Sequence, residues 1–157
     1  MTNYSHFMIR TAVEADRAAV EEIVRDAYTK WITVIGGEPA PMKADYAALI
    51  EAGRVWVLDS LDALIVLVEE PGVLLIENVA VRPSAQGKGL GRRLLAFAEE
   101  RTHALGRTAV RLYTNEKMTT NIALYQSLGY RETGREEING RRIVHLRKDL
   151  PHRTAQR

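Results

Sequence analysis

The run Gln86-Gly87-Lys88-Gly89-Leu90-Gly91 combines residue types and spacing that could do chemistry. It lies between a strongly apolar strand and a predicted helix. Backbone N–H groups and the positive helix end can therefore converge on phosphate oxygens, and glycines let that backbone approach closely. Lys88, Arg92 and Arg93 add positive charge where a diphosphate or a ribose 3′-phosphate would lie, and charge-assisted hydrogen bonds are the strong kind. The plainer alternative is a glycine-rich turn lined by a solvated basic face. The coincidence of strand, loop and helix start favours phosphate binding over it. A nucleotide-hydrolysing phosphate loop is disfavoured, because no Gly-Lys pair is followed by Ser or Thr. A dinucleotide fingerprint would need its third glycine where Arg92 stands and a direct turn from strand to glycine. Glu116, after the next strand, is the one point in its favour.

Other chemistries lose support. With zero cysteines there is no disulfide framework, no thiolate metal site and no cysteine nucleophile, which fits a reducing compartment. His6, His103, His145 and His152 show no ligand spacing, so no metal is expected and these residues read as solvent or core groups. Lys plus Arg number 22 against 20 for Asp plus Glu, a net +2 that points to no particular partner. Arg135, Arg141, Arg142 and Arg147 punctuate the final hairpin as alternating charge on an outer strand face, short of the dense basic patch that nucleic acid requires. No segment approaches the roughly twenty apolar residues of a membrane span. Met1 to Arg10 does not read as a signal peptide. The expectation is a cytoplasmic protein that binds neither membrane nor nucleic acid.

The elements that must position the glycine run follow from periodicity. The 157 residues, 46% hydrophobic and 27% charged, suit one compact core. A single domain over 1–157 is expected, with 151–157 as a frayed tail. Phe7 to Val13 reads as a first strand. Asp16 then stands as a plausible N-cap before Val20, Ile23, Val24, Ala27 and Trp31, an amphipathic helix. Ile35 to Pro41 is a Gly/Pro-rich loop, followed by a short helix around Ala44 to Ala52. Val55 to Leu58, Ala63 to Glu69 and Val73 to Val81 read as an antiparallel meander. Leu90 to Leu105 carries a helical stripe that stops at Gly106, and a strand over Ala109 to Thr114 follows. Thr119 or Thr120 can cap a further helix through Leu128. Two last strands, Tyr130 to Ile138 and Arg141 to Lys148, flank Asn139-Gly140, a strong hairpin signal. The order predicts an α/β (α+β) fold: a mixed, mostly antiparallel sheet of about six to seven strands with helices on both faces.

Val79-Ala80-Val81-Arg82-Pro83 followed by Gln86-Gly87-Lys88-Gly89-Leu90-Gly91 resembles the acetyl-CoA signature of the GNAT superfamily of N-acetyltransferases. A second stretch, Asn121-Ile122-Ala123-Leu124-Tyr125-Gln126-Ser127-Leu128-Gly129-Tyr130, is similar to that family's segment ending in a leucine-tyrosine pair and a glycine-aromatic pair. The order of elements agrees across nearly the whole chain.

The resemblance implies acetyl-CoA as cofactor and direct transfer of an acetyl group to a primary amine in a ternary complex. The diphosphate would be held by backbone amides from Gly87 to Arg92, and the pantetheine arm would run along Val79, Ala80 and Val81. The amide of Val79 would stabilise the charge that develops on the thioester oxygen. Tyr125 matches the general acid that protonates the departing thiolate; a phenol of pKa about 10 already holds that proton at neutral pH. An isolated tyrosine on such a helix is otherwise a core or interface aromatic. Asn121 lies four residues before Tyr125, on the same helix face, and is assigned to cofactor contact. The family commonly has an asparagine seven before the tyrosine, where this chain has Met118. Glu77 shares a strand face with Val79 and is either the base that deprotonates the amine or a surface carboxylate paired with a neighbouring cation. Tyr28, Trp31, Gly36 to Met42 and Tyr46 fall on the acceptor side, where the aromatics read as packing residues or as a cage for a cation. The acceptor is then a small-molecule or peptide amine, and an exposed terminal hairpin could pair two copies as a homodimer. The competing readings are an acyl-CoA sensor without catalysis and a dinucleotide-binding enzyme.

Overall fold

The computed structural model of the protein describes residues 8–151. The expected strand start at Phe7, His6, His152 and the tail from residue 152 lie outside the described residues. The chain divides into two compact units. The first holds the chain up to Leu67 together with Glu77–Leu95, and the second holds Val68–Ile76 and the chain from Ala96 onward.

In the first unit, β1 (Ile9–Thr11), β2 (Val55–Leu58) and β3 (Ala63–Glu70) pair antiparallel, with Ile9 opposite Leu58 and Val55 opposite Val66. α1 (Arg17–Ile35) forms where Val20, Ile23, Val24, Ala27, Tyr28 and Trp31 recur at helical spacing, and all of them are buried. Asp16 occupies the N-cap position, but its carboxylate makes no capping bond. It turns back to accept from the Val13 amide at 2.8 Å and from the Arg10 guanidinium at 2.8 and 3.1 Å. A charge-assisted fork displaces the expected cap because ionised partners bind more strongly than a neutral amide. α2 (Tyr46–Glu51) is shorter than expected and begins at Asp45, whose carboxylate accepts from the Ala48 amide at 3.1 Å.

β3, whose residues beyond Leu67 belong to the second unit, β4 (Val73–Val81) and α3 (Leu90–Ala104) each contribute residues to both units. In the second unit, β4 pairs in parallel with β5 (Ala109–Asn115), and β5 pairs antiparallel with β7 (Arg141–Asp149), which pairs antiparallel with β6 (Arg131–Ile138). The hydrogen-bonded order is β1-β2-β3-β4-β5-β7-β6, a seven-stranded, mostly antiparallel sheet as the sequence predicts. Asn139 and Gly140 take φ of 52° and 78°, the pair of left-handed residues that a two-residue hairpin needs. β6 is exposed along its whole length, and its charges pair locally: Arg135 reaches Glu132 at 2.7 Å and Glu116 at 3.0 Å. Solvent screens such exposed pairs, so they contribute little to stability.

α4 (Thr119–Ser127) corrects a second expected cap. Met118 holds the N-cap position without a side-chain capping bond, and Thr119 is already helical. Burial of the Met118 side chain, whose sulfur accepts from the Thr114 hydroxyl at 3.4 Å, sets the helix start instead. Among the described residues, no helix is long and apolar enough to cross a membrane.

Candidate functional site

The glycine run is built by the turn between β4 and α3. Gln86 folds its side-chain amide back to the Val81 carbonyl at 3.2 Å, closing the turn onto the end of the strand. Gly87 and Gly89 take φ of +82° and +80°, a left-handed conformation that other residues adopt only with strain. A Cβ built at either would meet no heavy atom within 4 Å, so the space over both is open. At Gly91 a Cβ would meet only Val81 Cγ2 at 3.9 Å, an ordinary contact; the first two glycines are required by backbone angle and the third is not.

α3 begins at Leu90, and the Arg93 amide donates back to the Gly89 carbonyl at 3.0 Å. The amides of Lys88, Gly89, Leu90, Gly91 and Arg92 have no hydrogen-bond acceptor among the described residues. These are the orphan donors of a helix N-terminus, and they add to the positive end of the helix dipole. Lys88 and Arg92 are exposed and form no ion pair among the described residues. The loop thus offers open space, a row of free amides and two uncommitted cations: the donor set that a diphosphate takes.

Arg82 anchors this loop, a role the sequence reading did not assign. Its amide donates to the Asp62 carbonyl at 2.9 Å, its Nε to the Leu61 carbonyl at 2.9 Å, and its Nη1 to Glu22 at 2.6 Å and Asp26 at 3.4 Å. Two carboxylates on α1 therefore hold the residue that starts the turn.

The strand leading into the loop is the other half of this site. Leu74, Ile76, Asn78 and Ala80 are buried, whereas Val73, Glu77, Val79 and Val81 on the opposite face are half-buried. Glu77 and Val79 share a face, as expected. The parallel register with β5 runs from Val73↔Ala109 to Ile76↔Leu112, while β4 continues through Glu77–Val81. Antiparallel alternation, counted back from the Arg82 amide bonded to Asp62, directs the Val79 and Glu77 amides to the edge away from β3. Glu77 forms no ion pair among the described residues, so the surface-pair alternative finds no cation there.

Asn78 was not anticipated at all, although a polar residue at a core position of an apolar strand is the signal that could have found it. Its Oδ1 accepts from the Tyr28 hydroxyl at 2.5 Å, and its Nδ2 donates to the Tyr46 hydroxyl at 3.1 Å. Tyr46 in turn donates to the Pro41 carbonyl at 2.6 Å, and Tyr28 lies 3.2 Å from the Val79 carbonyl. Tyr28 and Tyr46 are thus buried packing aromatics with polar duties. Burial pushes the Tyr46 phenol well above its ordinary value; the Asn78 amide works against that rise and the negative charge of Glu77 adds to it.

Asn121 and Tyr125 lie on α4 in the second unit. Asn121 is half-buried, and its side chain makes no hydrogen bond among the described residues. Tyr125 is buried, 7% exposed, and its ring meets that of Tyr130 at 6.0 Å between centroids with a 58° tilt. Burial alone pushes the Tyr125 phenol up to about 12, which strengthens its hold on its proton. His145 pairs with Glu136, and no group of three or more potential metal ligands occurs among the described residues.

Residues 51–132 match the family model described as an acetyltransferase (GNAT) domain. The uncharacterized N-acetyltransferase YvbK of Bacillus subtilis (strain 168) is 32% identical over 88 residues, covering 55% of this chain and 57% of that protein. The match therefore spans little more than half of the relative's length. Among solved structures, the PaiA N-acetyltransferase of Thermoplasma acidophilum in complex with coenzyme A has a TM-score of 0.72 at 16% identity, covering 91% of this chain and 98% of that one. The ribosomal-protein-S18-alanine N-acetyltransferase of Escherichia coli has a TM-score of 0.71 at 19% identity, covering 91% and 93%.

Proposed function

This chain belongs to the GNAT acetyltransferase domain family, and on that footing we propose that it transfers an acetyl group from acetyl-CoA to a primary amine in a ternary complex. The observation that carries the proposal is the row of unbonded amides from Lys88 to Arg92 beneath open space at Gly87 and Gly89. Gln86 to Arg92 hold the diphosphate, with Lys88 and Arg92 neutralising its charge. The edge of β4 at Val79, Ala80 and Val81 takes the pantetheine amides as a further strand would, and Asn121 is assigned to cofactor contact. When bound, acetyl-CoA supplies the activated acyl carbon and the thiolate leaving group.

The remaining chemistry belongs to this chain. An alkylammonium with a pKa of about 10 must lose a proton before its nitrogen can attack, and Glu77 takes that proton directly or through water. The Val79 amide donates to the thioester oxygen as the new C–N bond forms and negative charge gathers there. As the C–S bond breaks, Tyr125 would give its phenolic proton to the departing sulfur and recover one, through water, from the attacking nitrogen as it sheds its second proton to become an amide. A phenol held up to about 12 by burial keeps that proton across the whole assay range until charge gathers on the sulfur beside it. The acceptor is a small-molecule or peptide amine.

The test couples calorimetry with thiol release. Acetyl-CoA titrated into the protein gives heat, and a panel of primary amines gives acetyl-CoA-dependent release of free thiol. Tyr125→Phe lowers kcat by roughly 10² to 10³ while acetyl-CoA still binds. With the wild type, kcat stays level from pH 8 to about pH 10.5, because the acid stays protonated below about 12. Absence of heat overturns the acetyltransferase reading; full activity in Tyr125→Phe overturns the role of that residue alone.

A further inference from the structure

Asn78 lies on β4 between Glu77 and Val79 and points to the opposite face, into the core. Its amide is held at both ends. Asn78 Oδ1 faces the Tyr28 hydroxyl at 2.5 Å and Nδ2 faces the Tyr46 hydroxyl at 3.1 Å. The direction of the chain of bonds is fixed by donor accounting. The Pro41 carbonyl, 2.6 Å from the Tyr46 hydroxyl, can only accept, so Tyr46 spends its one proton there. Tyr46 must then accept from Asn78 Nδ2, which leaves Oδ1 toward Tyr28. The single proton of Tyr28 consequently serves two acceptors, Asn78 Oδ1 and the Val79 carbonyl at 3.2 Å. Turning the amide over would set Oδ1 against a Tyr46 oxygen whose proton is already taken.

We infer that Tyr28 is a positioning residue for acyl transfer: its hydroxyl clamps Asn78 and the Val79 carbonyl together, and through Tyr46 and Pro41 the same network ties the acceptor-side turn at Ala40–Lys43 to the strand that bears the oxyanion donor. The inference rests on the acetyltransferase reading above. Tyr28 touches neither cofactor nor acceptor in this scheme; it acts through the backbone on either side of Val79. Tyr28 is on α1, Pro41 is in the turn before α2, Tyr46 starts α2, and Asn78 and Val79 are on β4, so four separate segments of the first unit are set in one register by five polar groups. A core built only for stability would not need a polar residue at Asn78, where the same strand face otherwise carries Leu74, Ile76 and Ala80.

Tyr28→Phe keeps the ring and removes the clamp. The expected result is a kcat at least roughly tenfold lower, since small displacements of a reacting centre are costly, with the calorimetric Kd for acetyl-CoA within about twofold of wild type. Tyr46→Phe cuts the network at the other end. It raises the acceptor KM about fivefold or more and changes kcat less, because the Pro41 turn is released while Tyr28 still holds Val79. The acceptor probes are spermidine, glycinamide, a peptide with N-terminal alanine and Nα-acetyl-lysine amide. If none is turned over, the slow hydrolysis of acetyl-CoA by water, which needs the same oxyanion donor, is measured in wild type and Tyr28→Phe. Kinetic constants within twofold of wild type in both variants, whatever happens to Tm, would reduce the network to a structural role and overturn the inference. A wild type that neither binds nor consumes acetyl-CoA overturns the acetyltransferase reading and this inference with it, an outcome distinct from the first.

Discussion

The Tyr130 hydroxyl is buried, the residue being 2% exposed, and finds no hydrogen-bond partner among the described residues. Burial pushes its phenol well above the ordinary value, with the charge of Glu99 and then Tyr125 adding to the effect. A buried unpaired hydroxyl costs about 1–3 kcal/mol, whereas the ring contact with Tyr125 is made by carbon and survives its removal. Tyr130→Phe should therefore stabilise the protein by about 1 kcal/mol and raise Tm by about 2–4 °C in a thermal melt. A lower Tm would mean that the hydroxyl has a partner in solution. The residues that carry this site differ in how legible they are. Gly87, Gly89, Lys88 and Arg92 can be read from spacing because their function depends on neighbours in sequence. Tyr28, Tyr46 and Asn78 cannot, because their bonds join positions 50 and 32 residues apart, and a pattern of apolar spacing treats the two tyrosines as core and is silent about the amide.

At the scale of elements, β2 over Val55–Leu58 and β4 over Val73–Val81 fall where the sequence predicts, because both are rich in β-branched and aliphatic residues and closed by turn residues. Helix starts are less legible. At α1 and α4 the expected capping side chains lose to contacts that only the folded chain brings near, the Arg10–Asp16 fork and the burial of Met118. The first of these makes stability depend on pH. The Arg10 hydrogen bonds hold the Asp16 carboxyl below its usual value, burial opposes them, and the Val13 amide assists. A carboxyl whose pKa is lower in the folded than in the unfolded state adds stability that is fully present above the unfolded value of about 3.9 and is lost as pH falls through the folded value. Arg10 is 39% exposed, so solvent screens part of the effect. Asp16→Asn should cost about 1–2 kcal/mol at pH 7, a drop in Tm of about 2–8 °C, and its deficit relative to wild type should shrink steadily below pH 4. A deficit independent of pH would show that the side-chain shape of Asp16, and not its charge, matters.

For the whole molecule, the question is whether the two compact units behave as one. β3, β4 and α3 each supply residues to both, so neither unit can lose its structure without breaking strands and a helix that the other also uses. That shared construction predicts a single cooperative unfolding transition, the behaviour of one domain, in which heat and denaturant reported by different signals coincide. Ligand binding sharpens the test. The amides from Lys88 to Arg92 belong to the first unit, yet in a cooperative molecule a ligand gripped there stabilises everything. Acetyl-CoA at about 100 times its Kd should add about 2.7 kcal/mol and raise the one Tm by about 5–11 °C. NAD at the same concentration should leave it unmoved, since Arg92 stands where a dinucleotide loop needs glycine. Two calorimetric transitions, of which acetyl-CoA shifts only one, would separate the units thermodynamically; a shift with NAD in place of acetyl-CoA would reassign the loop.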